Sequence, residues 1–306
     1  MKIVKGIVVA GLLFIIVGIV FYVKDDVYVY VDQYLSPYKY VTLDEVNEYY
    51  RDVDFEFVQN TNQFIPLSEQ DIINIYYTVI NSGKNDFTFY CTNDFPDCLQ
   101  AIQEIANDQN LLSDINNYVH PYNGFSHIET EYDTLGKVTI HVIHNYTPEQ
   151  IEAINQKVDE LSLQLLNEND STYNNIKRVH DYIIEHARYD TARADYDDTT
   201  YHSDNAYGPL FEGYAVCGGY TDLMQLYLEK LNIPNFRVSS DKHVWNAVYI
   251  NNQWVNLDLT WDDPVYDDGS QSLEHRFFLI RTNQLLQEER TEHSFNLNHY
   301  PELKEA

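Results

Sequence analysis

Two strand-like runs, His243-Val244-Trp245-Asn246-Ala247-Val248-Tyr249-Ile250 and Trp254-Val255-Asn256-Leu257-Asp258-Leu259-Thr260, are separated by Asn251-Asn252-Gln253. Strands this close in sequence are joined as a hairpin, and asparagine tolerates the positive φ that a two-residue turn demands. With Asn251-Asn252 as the turn, Ile250 pairs with Gln253, Trp245 faces Asp258 and His243 faces Thr260. Directly opposed residues share a face, so His243 and Asp258 become diagonal neighbours on one side of the sheet. A three-residue turn would reverse that relation.

Upstream, Gly213-Tyr214-Ala215-Val216-Cys217-Gly218-Gly219-Tyr220 leads into a helix. Its apolar face runs Tyr220, Leu223, Met224, Tyr227, Leu228 and Leu231, and Ile233-Pro234 ends it. Cys217 falls at the helix N-terminus, where the dipole and unpaired N–H groups favour a thiolate. Gly218 and Gly219 allow another backbone or a substrate to approach. Taken singly, Cys217 fits a buried small hydrophobe, His243 a packed strand histidine and Asp258 a solvated carboxylate. Taken together they form a nucleophile, a base and an orienting acid. His243 takes the thiol proton and returns it to a leaving amine, while Asp258 holds the useful tautomer. The three are too widely spaced for a zinc motif, with no fourth ligand or Cys-x-x-Cys pair; neither a metal nor a cofactor is expected.

These stretches, with Tyr207-Gly208-Pro209-Leu210 and Trp261-Asp262-Asp263-Pro264, resemble the bacterial transglutaminase-like superfamily, whose members share a papain-like Cys-His-Asp core. The resemblance spans about residues 207–264, with weaker similarity at His180-Asp181-Tyr182 and Tyr189-Asp190. It implies Cys217 as nucleophile, His243 as base and Asp258 as orienting acid. Gly219, Tyr220, Trp245, Asn246 and Trp261 then stand as supporting positions, more structural than catalytic. Related sequences often read Cys-Gln-Gly-Tyr-Ala, so Gly218 departs from the pattern. No upstream glutamine stands where papain-like enzymes place an oxyanion donor; the Cys217 N–H supplies one donor and the second is unassigned. The resemblance implies an α+β fold with a papain/transglutaminase-like core, its nucleophile helix packed on an antiparallel sheet. Members of the superfamily also include forms that have lost turnover and serve as surface binding or scaffolding modules, which is the competing reading.

At the other end of the chain, Lys2 and Lys5 precede an uncharged stretch over 6–23, closed by Lys24-Asp25-Asp26. Eighteen helical residues reach about 27 Å, close to a bilayer's hydrocarbon thickness. No Ala-x-Ala-like cleavage site follows, and lysines before the span with acids after it place the body outside. The expectation is a single-pass signal anchor over 1–26 in the cell membrane, with secretion after signal cleavage as the alternative. Cys91 and Cys98 are close enough to pair in an oxidising exterior, although two free buried thiols fit equally. A net charge of −29 repels phosphate backbones and excludes nucleic acid as a partner.

Between anchor and core, 27–66 reads as a stalk and 67–146 as a small α/β region. That region has a Ser68-capped helix, a strand at 87–90, a helix at 98–106 and a hairpin turning near Gly136. Residues 147–306 form the transglutaminase-like domain, opening on a Thr147-capped helix and a second over 173–187. The segment 190–202 reads as an exposed loop, and Asp262, Asp263, Asp267 and Asp268 as a solvated turn that lacks calcium-loop spacing. A strand-like run over 277–280 and a short helix near 283–290 finish the chain. The function expected is extracytoplasmic thiol-dependent acyl transfer or amide hydrolysis on protein or peptide substrates, including cell-wall peptides.

Overall fold

A computed structural model describes residues 41–266 and 270–304. The expected signal anchor, the first part of the expected stalk, and Asp267 and Asp268 lie outside them. Among the described residues no helix is long and apolar enough to cross a membrane.

The N-terminal half is built on a three-stranded antiparallel sheet in the order β1-β3-β2, from β1 (Asp86–Tyr90), β2 (Phe125–Tyr132) and β3 (Lys137–His144). Gly136 turns the hairpin at φ +91°, a conformation side chains resist; an added Cβ there would lie 2.4 Å from the Cys91 carbonyl oxygen. Helices α1 (Glu69–Asn81), α2 (Cys98–Asn107) and α3 (Gln109–Asn116) pack with this sheet. Ser68 caps α1 by accepting from the Asp71 N–H at 3.2 Å. Cys91 and Cys98 are joined by a disulfide, with Cα atoms 5.7 Å apart.

Helices α4 (Pro148–Leu165) and α5 (Thr172–His186) follow. Thr147 and Gln150 close a full capping box on α4. A two-residue strand, β4 (Arg188–Tyr189), then pairs in parallel with β5 (Tyr214–Ala215). Between them α6 (Thr191–Tyr196) occupies part of the expected loop; Asp190 caps it by accepting from the Arg193 N–H at 3.1 Å. Helix α7 (Cys217–Lys230) packs on a second antiparallel sheet, β6-β7-β8, formed by β6 (Asn235–Ser239), β7 (Val244–Ile250) and β8 (Gln253–Leu257). This helix-on-antiparallel-sheet layer is the α+β core implied by the sequence. A last helix, α8 (Thr282–Glu288), covers the far end.

Three expectations are corrected. Residues 55–64 do not behave as a spacer: Phe55, Phe57, Val58 and Phe64 are buried with the first sheet and with Phe236, Val238, Trp245 and Ala247 of the second. Apolar side chains without helical or strand spacing gave no sign of that burial. The run 277–280 forms no strand beyond one bridge, Asn256 to Ile280, because Leu279 adopts φ +53° and breaks the extended path. Asp262 and Asp263 are buried, not solvated.

Candidate active site

The β7–β8 turn is the expected two-residue one. Asn251 and Asn252 take φ of 54° and 62°, and Ile250 pairs with Gln253 and Asn246 with Leu257. That register carries His243, one residue before β7, and Asp258, one residue after β8, to the same side. His243 Nε2 lies 2.6 Å from Asp258 Oδ2, and both side chains are buried. The other oxygen, Oδ1, accepts from the backbone N–H groups of Thr260 (2.9 Å) and Trp261 (3.2 Å). Burial alone would raise the Asp258 pKa. The imidazoles of His243 and His293 overcome it and hold the carboxyl well below its usual range.

Cys217 is the first residue of α7 and the one free cysteine among the described residues. With Nε2 committed to Asp258, the remaining ring nitrogen of His243 is Nδ1. Burial works against charge on His243, but Asp258 and then a hydrogen bond with Cys217 push its pKa up to about 10. A histidine so placed keeps its proton at neutral pH.

Backbone packing explains the two glycines. A Cβ on Gly218 would lie 2.5 Å from the Asp204 carbonyl oxygen, and one on Gly219 2.4 Å from that of Ser203. The Ser203 carbonyl also accepts from the Val216 N–H at 2.8 Å. The 203–205 segment therefore crosses the start of α7, and it fills the space that a side chain at 218 would need.

The supporting positions brace this arrangement. Tyr220 is buried, and its hydroxyl donates to Asp263 Oδ2 at 2.5 Å. Asn246 donates to the Thr221 carbonyl at 3.1 Å, and the Thr221 hydroxyl donates to the Val244 carbonyl at 3.0 Å, fixing α7 to β7. Trp245 stacks near His243, centroids 5.7 Å apart, and its Nε1–H donates to Asn256 at 2.9 Å. Trp261 contributes its backbone N–H to Asp258 and packs its ring near Phe277 and His293.

Two further residues lie near these positions: His293, which no sequence motif announces, and Tyr189, from the weakly similar Tyr189-Asp190 stretch. His293 is fully buried; its Nε2 meets Asp258 Oδ2 at 2.9 Å and its Nδ1 meets Glu289 at 3.1 Å. It arrives from a C-terminal stretch without regular structure, held among the rings of Trp245 and Phe277. Tyr189 comes through the β4–β5 pairing, which sets it opposite Ala215, two residues before Cys217. Burial and then the charge on Cys217 push its phenol up to about 12, so it stays protonated and able to donate.

The expected solvated acids have other partners. Asp262 Oδ2 lies 3.2 Å from His180 Nε2, and Asp262 Oδ1 accepts from the Phe277 N–H at 2.9 Å. Asp263 receives Gln271 Nε2 at 2.9 Å as well as Tyr220; burial pushes its pKa up to about 6. His243, Asp258 and His293 bring one ligand atom each within 4.8 Å of the others. All three side chains are buried.

Residues 159–259 match the family model of the transglutaminase-like superfamily. No curated protein matches the chain in sequence. Among solved structures, it is similar to a TGase at 16% identity, over 45% of this chain and 44% of that one, with a TM-score of 0.32. It is also similar to a candidate cysteine protease from Cytophaga hutchinsonii at 15% identity, over 44% of this chain and 61% of that one, with a TM-score of 0.28. The chain thus spans less than two thirds of either protein, and likenesses this loose carry no argument. The sequence match, over residues 159–259, encloses Cys217, His243 and Asp258 together, and over that stretch the chain is similar to the transglutaminase-like superfamily.

Proposed function

We propose that the protein is an extracytoplasmic, membrane-anchored thiol acyltransferase or amide hydrolase acting on protein or peptide substrates, cell-wall peptides among them. The observation that carries this reading is the buried His243, held by Asp258 at 2.6 Å and set one residue before β7, the strand that packs against α7, the helix Cys217 opens. In the proposed reaction the Cys217 sulfur attacks an amide carbonyl carbon. The resulting oxyanion is received by the Cys217 N–H, at the open end of α7, and by the Tyr189 hydroxyl. Collapse breaks the C–N bond, and the proton on His243 leaves with the departing amine or ammonia. Water or a second amine then gives a proton to His243 and displaces the thiolate from the thioester. The disulfide Cys91–Cys98 supports an oxidising location, and the apolar stretch over 6–23 supports the anchor.

The test is an acyl-enzyme trap. Purified protein is incubated with a glutamine-containing peptide library or muropeptides, quenched in acid and mapped by mass spectrometry. An adduct on Cys217 that hydroxylamine removes, and that is missing in Cys217→Ser, is the expected result. No adduct with any amide donor, from protein whose thiol is reactive, favours a binding module that keeps the fold without turnover.

A further inference from the structure

A second cluster, partly exposed at Asp181 and His275, has no part in the proposed chemistry. His180 on α5, the adjacent Asp181, and His275 from the segment after β8 direct their polar atoms to one point. His180 Nδ1 lies 2.9 Å and His275 Nε2 2.7 Å from the same oxygen, Asp181 Oδ1. The three ligand atoms all fall within 4.8 Å of one another. Two imidazole nitrogens aimed at one carboxylate oxygen is a ligand set with the chemistry of a borderline divalent ion.

The surroundings match such a site. His180 Nε2 is backed by the buried carboxylate of Asp262, the outer partner that fixes a metal-binding imidazole's tautomer and leaves Nδ1 free to ligate. Asp181 and His275 have side chains 25% and 35% exposed, so ions can enter and water can complete the coordination. Lys177 Nζ occupies the other oxygen, Asp181 Oδ2, at 2.5 Å, which keeps Oδ1 turned toward the histidines. The triad cluster at Asp258 differs in being closed to solvent.

We propose that His180, Asp181 and His275 form a site for a divalent transition-metal ion of the zinc type, with water in the remaining positions. Its place in the fold gives it a bracing role. Through His180 it is tied to Asp262, whose backbone N–H donates to the Asp258 carbonyl at 3.3 Å and whose Oδ1 holds Phe277. A bound ion would cross-link α5, the 258–263 turn and the 275–277 segment.

The experiment is a titration of the full chain in detergent with Zn2+ alone, read by calorimetry and by thermal unfolding, and with Co2+, read by its visible spectrum. The expected result is one ion per chain, a raised melting temperature, and Co2+ d–d bands without a thiolate charge-transfer band. His275→Ala should weaken binding at least tenfold, and Cys217→Ser should leave it unchanged. His275→Gln keeps a hydrogen-bond donor toward Asp181 and should weaken binding likewise, which covers a failure of the alanine variant to fold. Absence of stoichiometric binding overturns the proposal. So does binding that survives both His275 variants, or binding lost in Cys217→Ser, which would put the ion on the thiol.

Discussion

His293 shares Asp258 with His243: the two imidazole Nε2 atoms meet the same carboxylate oxygen, at 2.9 and 2.6 Å. The aspartate is thereby held by four donors, two rings and two backbone N–H groups, with none of its orientation left to solvent.

That sharing makes His293 a positioning residue for His243. His293→Phe keeps an aromatic ring, though a larger one, and removes both hydrogen bonds, at a cost of about 1.5–3 kcal/mol for the bond to a charged partner. Urea unfolding should register that loss. Alkylation of Cys217 at neutral pH should also slow several-fold, and His293→Gln should recover part of the rate. A merely structural His293 would lower stability and leave the alkylation rate of the folded protein untouched.

The His243–Asp258 pair predicts a pH window. The folded pKa of His243, about 10, lies above its unfolded value, so its contribution is full below about 6.5 and is lost as pH rises toward 10. Asp258 is shifted down, so its contribution is present above about 4 and is lost as pH falls further. The stability difference between wild type and His243→Gln should therefore be largest between about pH 4 and 6.5. It should shrink through pH 9, which urea midpoints at pH 5, 7 and 9 would show.

Gly218 and Gly219 are predicted to resist substitution for packing reasons. Each added Cβ would press on a backbone carbonyl, of Asp204 or Ser203, that has no free rotor to move aside. Gly218→Ala and Gly219→Ala should each destabilise by about 1–3 kcal/mol, in the range of overpacked sites. Gly218→Gln, which restores the residue common in related sequences, should be no better tolerated; thermal melts of the three variants check this.

The disulfide closes a short loop, at a sequence separation of 7. Replacing both Cys91 and Cys98 with serine should cost about 2–3 kcal/mol on the chain-entropy argument. Cys217 labelling should be unaffected, because the bridge sits with α2 and the first sheet.

The part of the site read from sequence is the part set by local rules. The Asn251-Asn252 turn fixes the β7–β8 register, and the register alone determines that His243 and Asp258 share a face. The Gly-Gly pair and the apolar spacing mark where α7 begins. What was missed depends on contacts between distant segments. His293 reaches Asp258 from 35 residues away, through a stretch with neither helical nor strand period. β6 is hidden by Arg237 at its centre, a charge that reads as solvent-facing until Asp222, 2.9 Å away on α7, neutralises it in the core. Residues 55–64 looked like a spacer because their aromatic side chains follow no regular period, although three phenylalanines among them are buried.

The most direct measurement is the rate of iodoacetamide labelling at Cys217 across pH 5–9, in wild type and in His243→Ala. It needs no substrate, and the single free cysteine among the described residues makes the readout clean under non-reducing conditions. Labelling at pH 6.5 at least tenfold faster in wild type than in the variant is the predicted result, since only an imidazolium held by Asp258 would sustain the thiolate there. Equal, slow labelling in both proteins would contradict the account, because Cys217 would then be a packed thiol beside a histidine and not a nucleophile.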